Sequence, residues 1–248
     1  MKKNPIALVT GGSKRIGKQI CIDLAKNSYD IIIHYNKSKI PANDLKKEIV
    51  EMGVRCEVIK CDFNKRQEVD KFYTNASKLL GKISCLINNA SVFENDKIHN
   101  FTSKSWNKHL DTNLYAPIKL SKDFAKQHAN NTHGNIINIL DQGVINPSIA
   151  FFSYNISKAA LHSATIILAK SLAPNIRVNA IGPGPTIKNE YQSDKNFKKQ
   201  IKSTLLKRGS KPQDISNTLN YILETESLTG QLIVVDGGEH LALSLIHI

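Results

Sequence analysis

The chain has 248 residues, of which 41% are hydrophobic and 22% are charged, a length that suits a single α/β domain. This composition, with only 13 Gly and 8 Pro, excludes a disordered or collagen-like chain. The net charge of +13 is typical of nucleic-acid binding, but the lysines are spread along the whole chain without clustering, so we predict no nucleic-acid partner.

Short apolar runs rich in β-branched residues alternate with longer amphipathic stretches along the whole sequence. This alternation is typical of a parallel sheet whose strands are connected by crossover helices. We predict seven strands, at residues 6–10, 30–35, 55–60, 85–88, 135–140, 177–181 and 232–235. We predict six helices, at residues 15–27, 42–52, 65–80, 103–130, 153–173 and 212–224. The fold class is therefore α/β, with one doubly wound parallel sheet and helices on both faces.

No linker or repeat divides the chain, so we predict a single domain over residues 1–242. Residues 243–248 follow the last predicted strand and are left out of the fold prediction. They resemble the translation of a sequencing adapter, and in that case they are not part of the native protein. The alternative is a native hydrophobic tail that packs on a neighbouring subunit.

The cysteines and the apolar segments indicate the compartment. Cys21, Cys56, Cys61 and Cys85 lie in apolar stretches at no metal-ligand or redox spacing, so we expect buried free thiols and no metal site. No segment approaches the roughly 18 apolar residues of a membrane span, which predicts no membrane partner. We therefore expect a cytoplasmic protein.

A glycine-rich turn follows the first predicted strand. The sequence TGGSKRIG at residues 10–17 leads directly into a predicted helix. Gly11 suits a tight turn, the loop amides and the helix N-terminus suit a pyrophosphate, and Gly17 allows close packing of the helix. The turn predicts a dinucleotide site that includes Gly11, Ser13, Arg15, Ile16 and Gly17.

The end of the second predicted strand indicates which dinucleotide is bound. An NAD-selective site places Asp or Glu about 20 residues beyond the loop, but this chain has HYNKS at residues 34–38. No carboxylate repels a 2′-phosphate there, and Lys37 and Ser38 are able to bind one, so we predict NADPH. The alternative is that Lys37 is one more solvated lysine. The predicted cofactor residues of this segment are His34, Tyr35, Asn36, Lys37 and Ser38.

Beyond the glycine turn, an ordered series of motifs resembles the short-chain dehydrogenase/reductase superfamily, up to about residue 240. These motifs are Asp62, Asn88-Asn89-Ala90, Asn113, the pair Tyr154 and Lys158, and Pro183-Gly184 followed by Thr186. The resemblance implies a Rossmann-type domain in which Asp62 contacts adenine and Thr186 lies near the nicotinamide carboxamide. It adds to the cofactor site Asn89, Ala90, Ser91, Lys158, Pro183 and Gly184.

Three positions depart from the common pattern of this superfamily. Arg15 stands where most members have glycine, and Ser91 replaces the glycine of NNAG. Asp141, thirteen residues before Tyr154, stands where the usual catalytic serine belongs.

With His34, Tyr35 and Phe93, these departures resemble the pteridine reductase branch, which includes bacterial dihydromonapterin and dihydrofolate reductases. The resemblance implies that a pterin stacks between Phe93 and the nicotinamide. The residues implied around the pterin edge are Arg15, Ser91, Asp141 and Tyr154. The alternative for Phe93 is an ordinary core position.

Tyr154 and Lys158 are four residues apart near the start of a predicted helix, so they share a face. A neighbouring ammonium stabilises phenolate and moves the tyrosine pKa toward the working pH, which suits an acid-base pair. We predict that Asn113 holds a water or bends its helix, so that a proton relay reaches Lys158. Trp106 and His109, on the same helix as Asn113, are interpreted as packing residues.

Asp141 indicates the substrate class. A serine there would donate a hydrogen bond to a carbonyl oxygen, whereas an ionised aspartate would repel that oxygen and raise the pKa of Tyr154. Asp141 therefore disfavours ketone reduction and suits a substrate with N–H donors, such as the amino-pyrimidine edge of a pterin. The alternative is that Asp141 faces solvent and that Gln142 makes the polar contact.

The sequence thus predicts an NADPH-dependent reductase of a pterin or dihydropterin, dihydrofolate among them. One alternative is a carbonyl reductase such as a 3-oxoacyl-carrier-protein reductase, and another is a non-catalytic NADPH-binding or nucleic-acid-binding protein. The apolar stripe of the helix at residues 153–173 and the resemblance favour a homotetramer, with a homodimer as the alternative. Residues 185–203 contain no motif that we can interpret.

Overall fold

The computed structural model describes residues 4–128, 132–189 and 192–242. Within these ranges seven strands form one sheet in the order β3-β2-β1-β4-β5-β6-β7, and all neighbours are parallel. The strands are β1 (Ile6–Val9), β2 (Asp30–Tyr35), β3 (Cys56–Lys60), β4 (Cys85–Asn88), β5 (Gly134–Ile139), β6 (Ile176–Pro183) and β7 (Leu232–Val235). The predicted fold class is confirmed, and each predicted strand is present with ends that differ by at most two residues.

Eight α-helices lie in the described part of the chain. They are α1 (Arg15–Lys26), α2 (Lys39–Glu51), α3 (Arg66–Leu80), α4 (Ser103–Leu110), α5 (Ala116–Gln127), α6 (Phe152–Leu172), α7 (Asp194–Ser203) and α8 (Pro212–Glu224). Five of the six predicted helices are present, with α2 starting three residues earlier than predicted. Residues 129 and 130, and the predicted tail at 243–248, lie outside the described residues.

Two predictions about helices are wrong. The single helix predicted at 103–130 is divided into α4 and α5 by a π-helical segment, Asp111–Tyr115. The region 185–203, which gave no motif, contains α7. Its first turn is capped by Ser193, whose side chain accepts a hydrogen bond from the Asn196 N–H.

The core lies on both faces of the sheet. Ile31 and Ile33 of β2 point into a cluster formed with α1, α2 and α8, whereas Ile32 points into a cluster formed with α3 and α5. This follows from the alternation of side chains along a strand and explains why β2 has a continuous apolar run. With both faces covered, the carboxyl edge of the strands is the place for a site, at the point where the strand order reverses between β1 and β4.

The four cysteines are buried and free, as predicted. Of the helices described here, none is long and apolar enough to cross a membrane. The described residues also contain no group of three or more His, Cys, Asp or Glu side chains placed to hold a metal ion.

Candidate active site

A cavity of about 770 Å³ opens at the carboxyl edge of the sheet. Its lining contains every residue that the sequence predicted for the cofactor, the substrate or catalysis, with the exception of Asn113. The predicted residues therefore come together in one place, although they are spread from Gly11 to Thr186 in the sequence.

The glycine turn lies in the floor of this cavity. Gly11 has a φ of +61°, which favours glycine, and its N–H donates to Nδ1 of His34 at 3.1 Å. The Asn89 side chain donates to the carbonyl oxygens of Thr10 and Gly11 at 2.9 and 3.0 Å. A Cβ at Gly17 would lie 2.4 Å from the Gly11 oxygen, so no larger residue fits while the turn keeps this shape.

His34 holds the Gly11 turn through a side-chain hydrogen bond. Because its Nδ1 accepts from Gly11, its Nε2 carries the proton and donates to the Cys61 carbonyl at 3.1 Å. Burial lowers the pKa of His34 to about 4, so the imidazole is neutral. The ring also stacks on Phe63 at 4.2 Å. His34 lines the cavity as predicted, and its hydrogen bonds assign it to shaping the Gly11 turn.

The far end of the cavity is lined by the segment after β2. Lys37 is exposed there, and no carboxylate occurs between Tyr35 and Ser38. Asp62, after β3, accepts from the Asn36 side chain at 3.1 Å and from the Asn64 N–H at 3.1 Å. This end thus combines a cation and a hydroxyl group with a carboxylate that two neighbours hold in place.

Tyr154 and Asp141 form the polar centre of the cavity. The Tyr154 hydroxyl donates to Oδ2 of Asp141 at 2.7 Å, and the Gly143 N–H donates to Oδ1 at 2.8 Å. Asp141 therefore faces the phenol, which contradicts the alternative of a carboxylate in solvent. Burial raises the pKa of Tyr154 well above its usual range, and the negative charge and hydrogen bond of Asp141 add to this rise.

Lys158 lies on the same face of α6 but does not contact the Tyr154 hydroxyl. Its Nζ donates to the Ile139 carbonyl at 2.8 Å and lies 5.8 Å from the centre of the Tyr154 ring. Burial lowers the pKa of Lys158 to about 8, against the opposing effect of Asp141. The prediction that Lys158 moves the Tyr154 pKa toward neutrality is wrong for this arrangement, because burial and the carboxylate outweigh the ammonium.

Asn113 lies in the π-helical segment between α4 and α5 and is fully buried. Its Oδ1 accepts from the Val92 N–H at 2.8 Å, while its Nδ2 donates to the Val92 carbonyl at 2.9 Å and to the Ser157 hydroxyl at 3.0 Å. Ser91 also donates to its Oδ1, at 3.2 Å. Asn113 therefore joins the loop after β4 to α6. The helix has π-helical geometry at Asn113, and the predicted bend or bound water and the proton relay stay predictions.

Phe93 and Arg15, both predicted to contact the substrate, line the cavity. Phe93 stacks on Phe151 at 4.2 Å and meets the Tyr154 ring edge-on at 4.6 Å. The Arg15 guanidinium donates to the carbonyls of Ile187 and Lys188, both at 2.8 Å, and so joins the glycine turn to the loop after β6. Arg15 also has a φ of +56°, a region that favours glycine, so the superfamily's usual glycine at this position matches the backbone shape.

Residues 5–199 match the short chain dehydrogenase family. The chain belongs to this family. The uncharacterized oxidoreductase YjdA of Bacillus subtilis is 32% identical over 241 residues, which cover 94% of this chain and 96% of that protein. A 3-oxoacyl-[acyl-carrier-protein] reductase, FabG of Staphylococcus epidermidis, is 29% identical and covers 96% of this chain and 100% of its own length.

Solved structures of two family members resemble this chain over its full length. FolM alternative dihydrofolate reductase 1 from Brucella canis, complexed with NADP, is 38% identical with a TM-score of 0.95, covering 99% of this chain and 98% of that one. The FolM protein from Brucella suis, also in complex with NADP, has the same identity and TM-score and covers 100% of both chains. These neighbours agree with the predicted pteridine reductase branch and the predicted cofactor.

Several residues that line the cavity were not predicted from the sequence. They lie on or just before α7, on the turn after β7, and on or near α4, and they include Gln192, Phe197, Gln200, Glu239, Glu94 and Lys108. The Ser193 cap would have revealed α7, because a serine three residues before Asn196 is a typical helix start. Nothing in the sequence shows that α7 borders the same cavity as Asp141.

Proposed function

We propose that this chain is an NADPH-dependent reductase of a pterin or dihydropterin, dihydrofolate among them. The proposal depends on the 2.7 Å hydrogen bond from the Tyr154 hydroxyl to Asp141. An ionised carboxylate only accepts hydrogen bonds, so it disfavours a ketone oxygen on which negative charge grows and favours a ring that presents N–H groups.

The residues at the cavity fit NADPH. Gly17 allows α1 to pack closely on the glycine turn, and the first turn of α1 presents backbone N–H groups to an anion. Lys37 and Ser38 lie where a 2′-phosphate would be held, with no carboxylate among residues 35–38 to repel it. The NADP in the two Brucella structures supports the same assignment.

Tyr154 is the proton donor of the proposed reaction. Its raised pKa keeps the phenol protonated at neutral pH, and it gives up this proton only as hydride transfer makes the adjacent ring nitrogen strongly basic. When bound, NADPH supplies a hydride to the adjacent ring carbon. The C=N bond thus gains one hydride and one proton and becomes a C–N single bond with an N–H group.

The other polar residues prepare Tyr154 for this step. Asp141 orients the hydroxyl through their hydrogen bond, and Lys158 places a cation near the ring that is left negatively charged after proton transfer. Solvent then returns the proton to Tyr154. Asn113 acts as a positioning residue, because it binds the Val92 backbone and the Ser157 hydroxyl of α6. Phe93, Ser91 and Arg15 line the same cavity and are proposed to contact the pterin.

A substrate panel with NADPH and NADH tests the proposal. We expect the purified protein to consume NADPH, in preference to NADH, with dihydromonapterin, dihydrobiopterin or dihydrofolate. The similarity to FabG favours a 3-oxoacyl thioester as the competing substrate. Consumption of NADPH with acetoacetyl thioesters but with no pterin would contradict the proposal in favour of the carbonyl reductase.

The proposed assembly is a homotetramer built on α6. Ile156, Ile166 and Ile167 are exposed apolar residues of this helix, with exposed fractions of 36%, 38% and 62%. Such a patch is typical of a subunit interface. Light scattering on the purified protein measures the mass directly, and a monomer would contradict the proposal.

We also propose a cytoplasmic location, because free buried thiols are typical of a reducing compartment.

A further inference from the structure

Two acceptor oxygens at the cavity have no donor. Oε1 of Gln142 and Oε2 of Glu239 are shielded from solvent, and within the described ranges no group donates a hydrogen bond to either. Both side chains line the same cavity as Asp141. Buried acceptors in folded proteins are nearly always paired, so these two oxygens are open to donors of a molecule bound in the cavity that their side chains line.

Glu239 is held in place by α7. Its Oε1 accepts from the Gln200 side chain at 2.8 Å, and Gln200 in turn accepts from Gln192 at 2.9 Å. Glu239 lies in a short helical turn, Glu239–Leu241, beside the turn that follows Asp141. One carboxyl oxygen is therefore fixed by the protein, while Oε2 has no protein donor in the described structure.

The charges around Glu239 also favour a donor. Burial raises the pKa of Glu239, and the negative charges of Asp141 and Asp236 add to this rise although Gln200 opposes it. A ligand N–H or O–H group at Oε2 would stabilise the ionised carboxylate. The last torsion of a glutamate side chain is broad, so a small rotation turns this oxygen toward a ligand.

We propose that Gln142 and Glu239 form an acceptor wall that binds N–H or O–H donors of the substrate. The inference rests on the proposed function and deepens it, since it assigns a second recognition element beside Asp141. A pterin has N–H donors on its amino-pyrimidine ring, and a hydroxylated side chain adds O–H donors. A simple ketone has neither, so the acceptor wall selects donor-rich substrates.

Variants of Glu239 test the acceptor wall in the full-length enzyme. Glu239→Leu removes both oxygens, Glu239→Gln keeps one acceptor with a similar shape, and Glu51→Leu, at an exposed position on α2, is the matched control. The substrates are dihydrobiopterin, with its hydroxylated side chain, and a dihydropterin with a methyl group in that place. Steady-state kinetics give KM and kcat at saturating NADPH, and fluorescence titration gives the NADPH Kd.

We expect Glu239→Leu to raise KM by about tenfold or more, because a substrate donor that binds the Glu239 carboxylate loses its acceptor and is left unpaired. Glu239→Gln should raise KM less, and Glu51→Leu should match the wild type. The kcat and the NADPH Kd should stay within about twofold, which separates substrate recognition from a general loss of structure. A KM rise for both substrates assigns the contact to ring N–H groups, and a rise for dihydrobiopterin alone assigns it to side-chain hydroxyls.

The inference is overturned if Glu239→Leu keeps the wild-type KM for both substrates. It is also overturned if kcat and the NADPH Kd change as much as KM in both Glu239 variants, because that pattern indicates a structural role. These outcomes require a wild-type enzyme that reduces pterins. If the wild type reduces no pterin, the proposed function itself fails, and the acceptor wall fails with it.

Discussion

Replacing Asp141 by Ser is the sharpest test of how this site selects its substrate. The carboxylate accepts a 2.7 Å hydrogen bond from Tyr154, and a hydrogen bond to a charged group contributes about 1.5–3 kcal/mol. If this interaction is made in the transition state, its loss lowers kcat/KM for a dihydropterin by about 10- to 150-fold. The pKa of Tyr154 should fall at the same time, because a negative charge next to the phenol is removed.

The assay follows NADPH consumption with dihydrobiopterin and with an acetoacetyl thioester, at several pH values. We expect Asp141→Ser to lose pterin reduction and to gain measurable ketone reduction, since a serine hydroxyl is able to donate to the ketone oxygen. Asp44→Ser, at an exposed position on α2, is the control and should match the wild type. A variant that keeps full pterin activity and gains no ketone activity would refute the electrostatic argument.

Three further changes test the cofactor site and the acid. Tyr154→Phe should lower kcat by about 100-fold or more and leave the NADPH Kd within about twofold; an active Phe variant would exclude Tyr154 as the proton donor. Because burial lowers the pKa of Lys158 to about 8, its ammonium is present below that pH and is lost above it. We therefore expect kcat to fall as the pH rises through about 8, and a flat pH profile there would contradict a role for the cation. Gly17→Ala places a Cβ 2.4 Å from the Gly11 oxygen and should destabilise the fold by about 1–3 kcal/mol and weaken NADPH binding. Thermal unfolding and NADPH titration measure both effects, and an unchanged protein would show that the turn can widen.

The strands were predictable because short apolar runs in the local sequence indicate their burial. The run Ile31–Ile33 of β2 is apolar without a break because successive side chains are buried on opposite faces of the sheet. The break between α4 and α5 was not predictable in the same way. It depends on Asn113 binding Val92 and Ser157, which lie 21 and 44 residues away, and the apolar periodicity of the helix does not record such contacts.

The members of the site were predictable, but their energetics were not. The spacing of Tyr154 and Lys158 places both on one face of α6, as expected. It does not reveal that Lys158 donates to Ile139, nor that burial dominates the pKa of the phenol. The position of Asp141 indicated a carboxylate in place of a serine, and only the tertiary structure shows that it accepts from Tyr154.

The polarity of the substrate end discriminates between the two candidate substrate classes. A ketone offers only an acceptor oxygen and needs donors, yet the carboxylate of Asp141 beside the Tyr154 hydroxyl presents only acceptor oxygens. The oxygens of Gln142 and Glu239 add acceptors, which a ketone leaves unpaired. A pterin offers both a ring nitrogen that takes a proton and N–H groups that satisfy acceptors. Under the proposed function, specificity therefore comes as much from acceptors that a ketone leaves unpaired as from the contacts that bind a pterin.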